Sequence, residues 1–257
     1  MSATLPAVNY WPQNSCAKAF WGQHELPPYR QLLQDTISWL DLQPGQRWLD
    51  LGCGGGQLTR ALWQTTEGGL EEIVGSDCAA ANAHAFEKLR SRVEPWSGDR
   101  IRFVVSDFSE GLPFAEDDSF DGVVSGLAIQ YAESFSPETG RWTTNAYDAV
   151  LKEVCRVLRP GGQFAFSVNI PEPSWVKVAA LSVFGFFAAR RPARYLQKAY
   201  AMWSYGGWLK TQARKGRFHY LPRPLVVQKL QAAGFVQIER RRSFAGQAYL
   251  FRCRKPE

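Results

Sequence analysis

A glycine-rich turn near residue 50 is the first feature of the 257-residue sequence that indicates a ligand. Residues 50–56 read DLGCGGG and follow a short, nearly continuous apolar run. Glycines between a strand and a helix let the backbone approach a nucleotide and adopt dihedral angles closed to residues with a Cβ atom. An isolated glycine cluster can also be only a tight turn, so its meaning depends on the acidic residues that follow it.

Two aspartates follow at the expected ends of the next two strands. Asp77 comes 27 residues after Asp50, at a place where a carboxylate can accept both hydroxyls of an adenosine ribose. Asp107 ends the third predicted strand, where it can accept the adenine amino group while Phe108 packs near the ring. Either aspartate alone would more often be a helix cap or a turn residue. Together, at successive strand ends, they predict contact with a nucleoside cofactor.

The elements that must position these side chains follow from hydrophobic periodicity. Apolar runs and glycine or proline breaks alternate regularly along residues 29–168. The predicted strands are 47–51, 72–76, 100–106, 120–125 and 163–168, and the predicted helices are 29–40, 57–65, 79–92 and 144–158. The Arg-Pro-Gly-Gly segment at 159–162 is expected to end the last of these helices. This β-α-β alternation predicts a parallel sheet.

The carboxy-terminal third departs from this alternation. Residues 171–224 are aromatic, basic and rich in proline, as expected of an inserted lid, whereas 225–233 resume as a helix and 235–244 with 247–254 predict a hairpin. The sequence therefore divides into an aromatic leader (1–28), a core (29–170), a lid or substrate-binding insertion (171–224) and a final helix and hairpin (225–257). No internal repeat is present.

Five segments taken in order resemble the class I S-adenosylmethionine-dependent methyltransferases. They are WLDLGCGGG (48–56), IVGSD (73–77), VVSDFSEGLPF (104–114), SFDGVVS (119–125) and LKEVCRVLRPGGQFAFSV (151–168). Within that family the chain is similar to the small-molecule branch, methyltransferase type 11, that includes ubiquinone and menaquinone biosynthesis enzymes. The resemblance implies a Rossmann-like α/β fold with a seven-stranded, mostly parallel sheet, an antiparallel last strand and a helical lid, with S-adenosylmethionine over the strand carboxyl ends.

The resemblance also implies roles for individual residues. Asp50, Gly52 and Gly54 would surround the methionine part of the cofactor, Asp77 the ribose and Asp107 the adenine. The same loops complete the expected cofactor site with Cys53, Cys78, Phe108 and Gly126.

Candidates for a catalytic base are few. The sulfonium of the cofactor is a strong electrophile, so a base is needed only if the acceptor must lose a proton. Family members often carry histidine after the fourth strand, but residues 126–131 read GLAIQY here. The remaining candidates are Tyr131, which follows that strand, and His24 and His219, which a folding lid can bring over the site. A structural role is the commoner reading for each histidine, and catalysis by positioning alone stays open.

Charge and aromatic content bear on the partner. Residues 1–174 carry 13 Lys/Arg and 22 Asp/Glu (13 − 22 = −9), whereas 175–257 carry 17 and 2 (17 − 2 = +15). The basic third indicates an anionic substrate, a lipid surface or nucleic acid, or is only a solvated face. Its many aromatic residues favour a small apolar or ring-bearing acceptor, quinone-like or lipid-like.

Three features of the sequence bear on the cellular location of the protein. The apolar run 178–189 is shorter than the roughly 20 residues of a membrane-spanning helix, but the arginines at 190, 191 and 194 make peripheral membrane contact an open interpretation. Five scattered cysteines without a CxxC pair indicate free thiols and no metal site. With no secretory pattern, we expect a cytoplasmic protein, with peripheral attachment to the inner face of a membrane left open.

Three other functions compete. A nucleic-acid methyltransferase would use the basic third. The Asp/Asn-Pro-Pro-aromatic loop of enzymes that methylate exocyclic amines is replaced by AIQY at 128–131, which argues against nucleic acid as a partner. A nicotinamide-dependent oxidoreductase would need glycine at 57, where Gln57 stands. A non-catalytic module that binds the cofactor stays open.

Overall fold

A central β-sheet organises the chain. The computed structural model describes residues 9–12, 25–186, 200 and 205–257, except for the side chains of 183–186. Over these residues the sheet has seven strands in the order β3-β2-β1-β4-β7-β9-β8, and β5 pairs with β6 separately. The strands are β1 (Arg47–Leu51), β2 (Glu72–Asp77), β3 (Ile101–Val105), β4 (Phe120–Gly126), β5 (Ser134–Ser136), β6 (Arg141–Thr143), β7 (Leu158–Asn169), β8 (Val236–Ser243) and β9 (Ala248–Arg254).

Strand directions confirm the expected Rossmann-like sheet. The five strands from β3 to β7 in the sheet order are parallel to their neighbours. β9 runs antiparallel to both β7 and β8. Because the parallel strands are joined by crossovers, their carboxyl ends all meet at one edge of the sheet.

Helices cover both faces of the sheet, and side-chain alternation explains why. The helices are α1 (Pro27–Ile37), α2 (Gln57–Thr65), α3 (Ala81–Arg90), α4 (Asn145–Val157), α5 (Trp175–Phe186), α6 (residues 205–214) and α7 (Arg223–Ala232). In β1, Trp48 belongs to a buried cluster with residues of α2 and α3, whereas Leu49 and Leu51 belong to the cluster that contains residues of α4 and α7. Neighbouring strand residues point to opposite faces, so a strand that is apolar throughout is buried on both.

β7 is longer than the sequence predicted. The expected break at 159–162 lies within the strand, because α4 ends at Val157 and pairing begins at once with Leu158 opposite Phe120. The segment stays paired because the Gly161 N–H donates to the Lys255 carbonyl at 3.1 Å and the Lys255 N–H donates to that of Gly162 at 3.0 Å. These partners are almost 100 residues apart, which local turn propensity does not reveal.

The described part of the 171–224 insertion packs against the core. Val178 of α5 is buried with Leu32 of α1 and with Phe244 and Ala248 of the final hairpin. The apolar run at 178–189 is helical in the structure as far as Phe186. Its following arginines lie outside the described residues, and no helix that the structure describes is long and apolar enough to cross a membrane.

Replacement of Phe86 by alanine tests how the glycine-rich turn is supported. Phe86 is fully buried, and its ring lies so close to Gly56 and Gly75 that a Cβ atom there would come within 2.8 and 2.4 Å of it. We expect Phe86→Ala to lower the free energy of unfolding by about 3–5 kcal/mol in urea denaturation, because it leaves a cavity under the turn. The exposed Trp96 is the control, since Trp96→Ala should change stability by less than about 0.5 kcal/mol. Equal urea midpoints for the two variants would contradict this packing role.

Candidate active site

A cavity of about 820 Å³ opens at the carboxyl edge of the parallel strands. Its wall is formed by the loops after β1, β2, β3 and β4 together with residues of α1, α2 and α3. The structure brings the full expected cofactor set to this wall: Asp50, Gly52, Cys53, Gly54, Asp77, Cys78, Asp107, Phe108 and Gly126. We call the part over β3, β2 and β1 the glycine end. The part over β4 and β7 is the aromatic end, lined by Trp11, Tyr29, Leu127, Ala128, Tyr131, Asn169, Trp175 and Leu209.

The glycine-rich turn needs its glycines for two different reasons. Gly52 and Gly54 have φ angles of +71° and +52°, which residues with a Cβ atom rarely adopt. A Cβ atom on Gly52 would lie 2.3 Å from the Ala128 Cβ, so this glycine permits close contact with the loop after β4. A Cβ atom on Gly54 would meet nothing within 4 Å. Gly54 therefore presents bare backbone at the cavity wall.

Asp50 places a buried carboxyl group at the glycine end. Its Oδ2 accepts hydrogen bonds from the Thr59 N–H at 2.9 Å and from the Thr59 hydroxyl at 2.7 Å. Its Oδ1 has no hydrogen-bond partner among the described residues. Burial raises the pKa of Asp50 to about 6, with Thr59 opposing the rise and Asp77 adding to it. An unpaired buried carboxyl oxygen is suited to a cation or a hydrogen-bond donor.

Asp77 joins the first two loops. Its carboxylate accepts hydrogen bonds from the Gly54 and Ala79 N–H groups, each at 2.9 Å, and from the Asn82 amide at 3.0 Å. Burial raises the pKa of Asp77, and these three donors oppose the rise. A carboxylate offers about four lone-pair positions, so Asp77 keeps capacity for a further donor.

Asp107 is held by its own loop and by the leader. The Ser109 N–H donates to its Oδ1 at 2.9 Å, and the Asn9 side-chain amide donates to its Oδ2. Asn9 is fixed through Glu133, whose carboxylate accepts from the Asn9 N–H at 3.1 Å and pairs with Arg217 at 2.9 Å. This leader contact could not be predicted from local sequence patterns, because the partners are 98 residues apart.

The two cysteines of the cofactor set are protonated thiols. Burial raises the pKa of Cys53 and of Cys78 above the ordinary thiol value, and nearby aspartates add to both shifts. The thiolate is the reactive form, so neither side chain is an activated nucleophile. They line the wall as small apolar groups.

The catalytic candidates occupy different places. Tyr131 lines the cavity with its hydroxyl 3.3 Å from that of Tyr220, and burial raises its pKa to about 12. His219 is buried away from the cavity wall, with Nε2 2.8 Å from the Ala132 carbonyl oxygen, and burial lowers its pKa to about 4. His24 lies outside the described residues, whereas His84 lies exposed on α3 at the cavity rim.

The aromatic end contains residues outside the predicted cofactor and catalytic sets. Leu127 follows β4 with φ +54°, a strained conformation for leucine that its N–H stabilises by donating to the Ser167 hydroxyl at 3.0 Å. Tyr29 and Trp175 line the wall, and Phe244 packs behind them with ring centroids at 4.5 and 6.3 Å. Asn169 ends β7 as Asp77 ends β2, so the strand-end position was the signal that could have identified it.

Comparison with known proteins places this geometry among methyltransferases. Residues 49–166 match the family model described as a methyltransferase domain. The chain is similar to the methyltransferase GfsG of Streptomyces halstedii, with 31% identity over 69% of the chain and 55% of that protein. It is also similar to the malonyl-[acyl-carrier protein] O-methyltransferase of Methylococcus capsulatus, with 28% identity over 77% of the chain and 66% of that protein. The chain thus spans 55% and 66% of the lengths of these two relatives.

Further similarity extends over more of the chain. The demethylmenaquinone methyltransferase of a Geobacillus species is 26% identical over 80% of the chain and 77% of that protein. Among solved structures, phosphoethanolamine N-methyltransferase 2 of Haemonchus contortus with S-adenosyl-L-methionine has a TM-score of 0.59 at 16% identity, covering 95% of the chain and 58% of that protein. N-methyltransferase NodS of Bradyrhizobium japonicum with S-adenosyl-L-homocysteine has a TM-score of 0.54 at 17% identity, covering 92% of both. At these identities the structures support the fold.

Replacement of Asp50 by asparagine tests the buried carboxyl group through pH. Because its folded-state pKa of about 6 exceeds the usual value near 4, the folded protein keeps a proton that the unfolded chain has released between those values. The stability that Asp50 contributes is therefore full below about pH 4 and falls by roughly 3 kcal/mol as the pH rises through 6. In urea denaturation, Asp50→Asn should gain that amount relative to wild type from about pH 4 to about pH 7.

The exposed Asp99 supplies the control, because Asp99→Asn replaces a solvent-exposed carboxylate and should change stability by no more than about 0.5 kcal/mol. If Asp50→Asn and wild type followed parallel curves over this range, Asp50 would not titrate as the structure indicates.

Proposed function

Because the chain belongs to the class I S-adenosylmethionine-dependent methyltransferases, we propose that it transfers the methyl group of S-adenosylmethionine to a small apolar or aromatic acceptor, quinone-like or lipid-like. One observation carries this proposal: a single cavity has acidic and glycine-lined walls at one end and aromatic walls at the other. A polar cofactor and an apolar acceptor can then meet over β1 and β4, which are adjacent strands.

The residues at the glycine end fit this cofactor. The unpaired Oδ1 of Asp50 suits the ammonium of the methionine part, and the bare backbone at Gly54 leaves room for close approach. Asp77 would accept from the ribose hydroxyls with its remaining lone pairs, and Asp107 with Phe108 would contact the adenine. Cys53, Cys78 and Gly126 would complete the wall.

Catalysis in this proposal rests on positioning. When bound, S-adenosylmethionine supplies a methyl group on a positively charged sulfur, which is a good leaving group. Tyr131 keeps its proton near neutral pH, and its hydroxyl lies 3.3 Å from that of Tyr220. The Nε2–H of His219 already donates to the Ala132 carbonyl oxygen. The aromatic walls exclude water and orient the acceptor toward the glycine end.

An anionic substrate, a lipid surface and nucleic acid, the partners suggested by the basic carboxy-terminal third, stay predictions. Three cations line the cavity among its described residues: Arg60, Lys88 and Arg92. They belong to α2, α3 and the turn after α3, which flank the glycine end. Peripheral membrane contact depended on arginines outside the described residues. The assignment of 171–224 as a lid, and of 1–28 as a leader over the site, also remains a proposal.

Replacement of Gly54 by alanine tests cofactor binding. We expect at least a tenfold loss of S-adenosylhomocysteine affinity in calorimetry, because the added methyl group projects from backbone that the ligand must approach. Because residue 54 has a φ of +52°, alanine there should also lower the stability by about 1–2 kcal/mol.

Gly98 is the matched control. It has a φ of +58° and equally open surroundings but lies outside the cavity wall, so Gly98→Ala should lose similar stability and keep its affinity. Equal affinities in the two variants would remove the glycine-rich turn from the cofactor site.

Transfer of labelled methyl groups tests the activity itself. The acceptors to compare are a reduced quinone, anionic phospholipid vesicles, a malonyl-acyl carrier protein and RNA. Label in the first supports a quinone-like acceptor, label in RNA supports the nucleic-acid alternative, and S-adenosylhomocysteine binding without transfer to any acceptor would favour a non-catalytic binding module.

Replacement of Tyr131 by phenylalanine tests whether a base is used. Because the pKa of Tyr131 is about 12, we expect Tyr131→Phe to slow methyl transfer by less than about 100-fold and to leave its pH profile unchanged. A general base contributes about 10²–10⁴-fold. Tyr147, a buried core tyrosine away from the cavity wall, is the control, and Tyr147→Phe should retain wild-type turnover. Loss of a pH limb in Tyr131→Phe alone would identify Tyr131 as the base.

A further inference from the structure

The aromatic end contains an unsatisfied amide. Asn169 is 1% exposed and lines the cavity, and its backbone N–H is fixed by the Gln130 side-chain oxygen at 2.6 Å. Among the described residues, neither its side-chain oxygen nor its side-chain nitrogen has a hydrogen-bond partner of normal geometry. The Tyr220 hydroxyl lies beside this amide. Burial raises the pKa of Tyr220, and the Asn169 side chain opposes that rise. A buried amide without partners costs about 1–3 kcal/mol, which a ligand can recover.

A second unpartnered donor lines the same cavity. The indole nitrogen of Trp175 is buried without a hydrogen-bond partner among the described residues. The Asn169 amide has one acceptor oxygen and two N–H donors, one of which faces the Tyr220 hydroxyl, and the Trp175 indole adds a further donor. Such a set suits an oxygen that accepts from N–H groups and also donates, as a hydroxyl does.

The charge of the residues that line the aromatic end narrows the class of ligand further. The aromatic end has no lysine or arginine among its described lining residues. Among the described residues of this end, a buried carboxylate or phosphate would find no countercharge, which is strongly unfavourable. A neutral oxygen function on an apolar body fits both the amide and the aromatic walls.

From these observations we propose that Asn169, assisted by Trp175, selects acceptors that carry a neutral hydroxyl group on an apolar or aromatic ring. This inference rests on the proposed function and adds a specificity-determining residue to it. Sites built to hydrogen-bond a hydroxyl reject analogues that lack it, because the buried polar groups of the site then stay unpaired.

Calorimetry with two neutral probes tests the inference on protein loaded with S-adenosylhomocysteine. The probes are 2-naphthol and 2-methylnaphthalene, which have similar size and differ in the hydroxyl. Wild type should bind 2-naphthol at least tenfold more tightly, and Asn169→Leu should reduce this preference to about twofold or less. Trp175→Phe removes the indole N–H, keeps an aromatic ring and should give an intermediate preference. This variant carries the test if Asn169→Leu fails to fold.

Thr36 offers a matched control in the same cavity. It is buried, but its hydroxyl already donates to the Leu32 carbonyl at 2.8 Å, so Thr36→Val should keep the wild-type preference. Equal binding of the two probes by wild type, binding of neither, or an unchanged preference in Asn169→Leu would overturn the proposal. Failure of the proposed function would give a different result. S-adenosylhomocysteine would then not bind, while the protein without it would still bind 2-naphthol more tightly than 2-methylnaphthalene.

Discussion

Three N–H groups converge on the carboxylate of Asp77, and the shape of the glycine end depends on that convergence. One donor comes from the glycine-rich turn after β1, one from the loop after β2 and one from α3. The carboxylate thus ties together the first two crossovers of the sheet. Within the turn the Gly56 N–H donates to the Cys53 carbonyl, and the Gly52 and Cys53 N–H groups donate to the Ser76 carbonyl of β2. Asp77 adds the hydrogen bond that holds Gly54.

The same carboxylate belongs to a row of acids along the sheet edge. Asp77 adds to the raised pKa of Asp50, and Asp107 adds to that of Asp77. Burial is the larger cause at both positions, so each negative charge is held at a free-energy cost. A ligand with positive charge lowers that cost, which makes a sulfonium with an ammonium group a better match for this wall than a pyrophosphate-bearing dinucleotide.

Sequence reasoning was most successful where the physical signal is local. The starts of β1 and β2 were predicted at Arg47 and Glu72, because apolar runs entering polar turns are read within a few residues. The small β5–β6 sheet was missed, and so was the full length of β7, since both depend on partners that local periodicity does not define. The leader contact of Asn9 was invisible for the same reason.

Side-chain direction was the harder part of the site. His219 and Tyr220 are neighbours in the sequence, yet one ring turns into the core toward Tyr147 while the other meets the Tyr131 hydroxyl. Many aromatic residues expected to form an acceptor surface instead pack with one another, as Phe218 does with Trp208 and Trp11. Composition predicted an aromatic region but not how much of it the core would use.

The turn of the final hairpin has a consequence for how such a protein can diversify. Phe244, Ala245 and Gly246 all have positive φ, and this unusual turn inserts the Phe244 ring behind Tyr29 and Trp175. Phe244 does not line the cavity, yet it supports two rings that do. Changes near the carboxyl terminus, far in sequence from the glycine-rich turn, can therefore reshape the aromatic end of the cavity and leave its glycine end untouched.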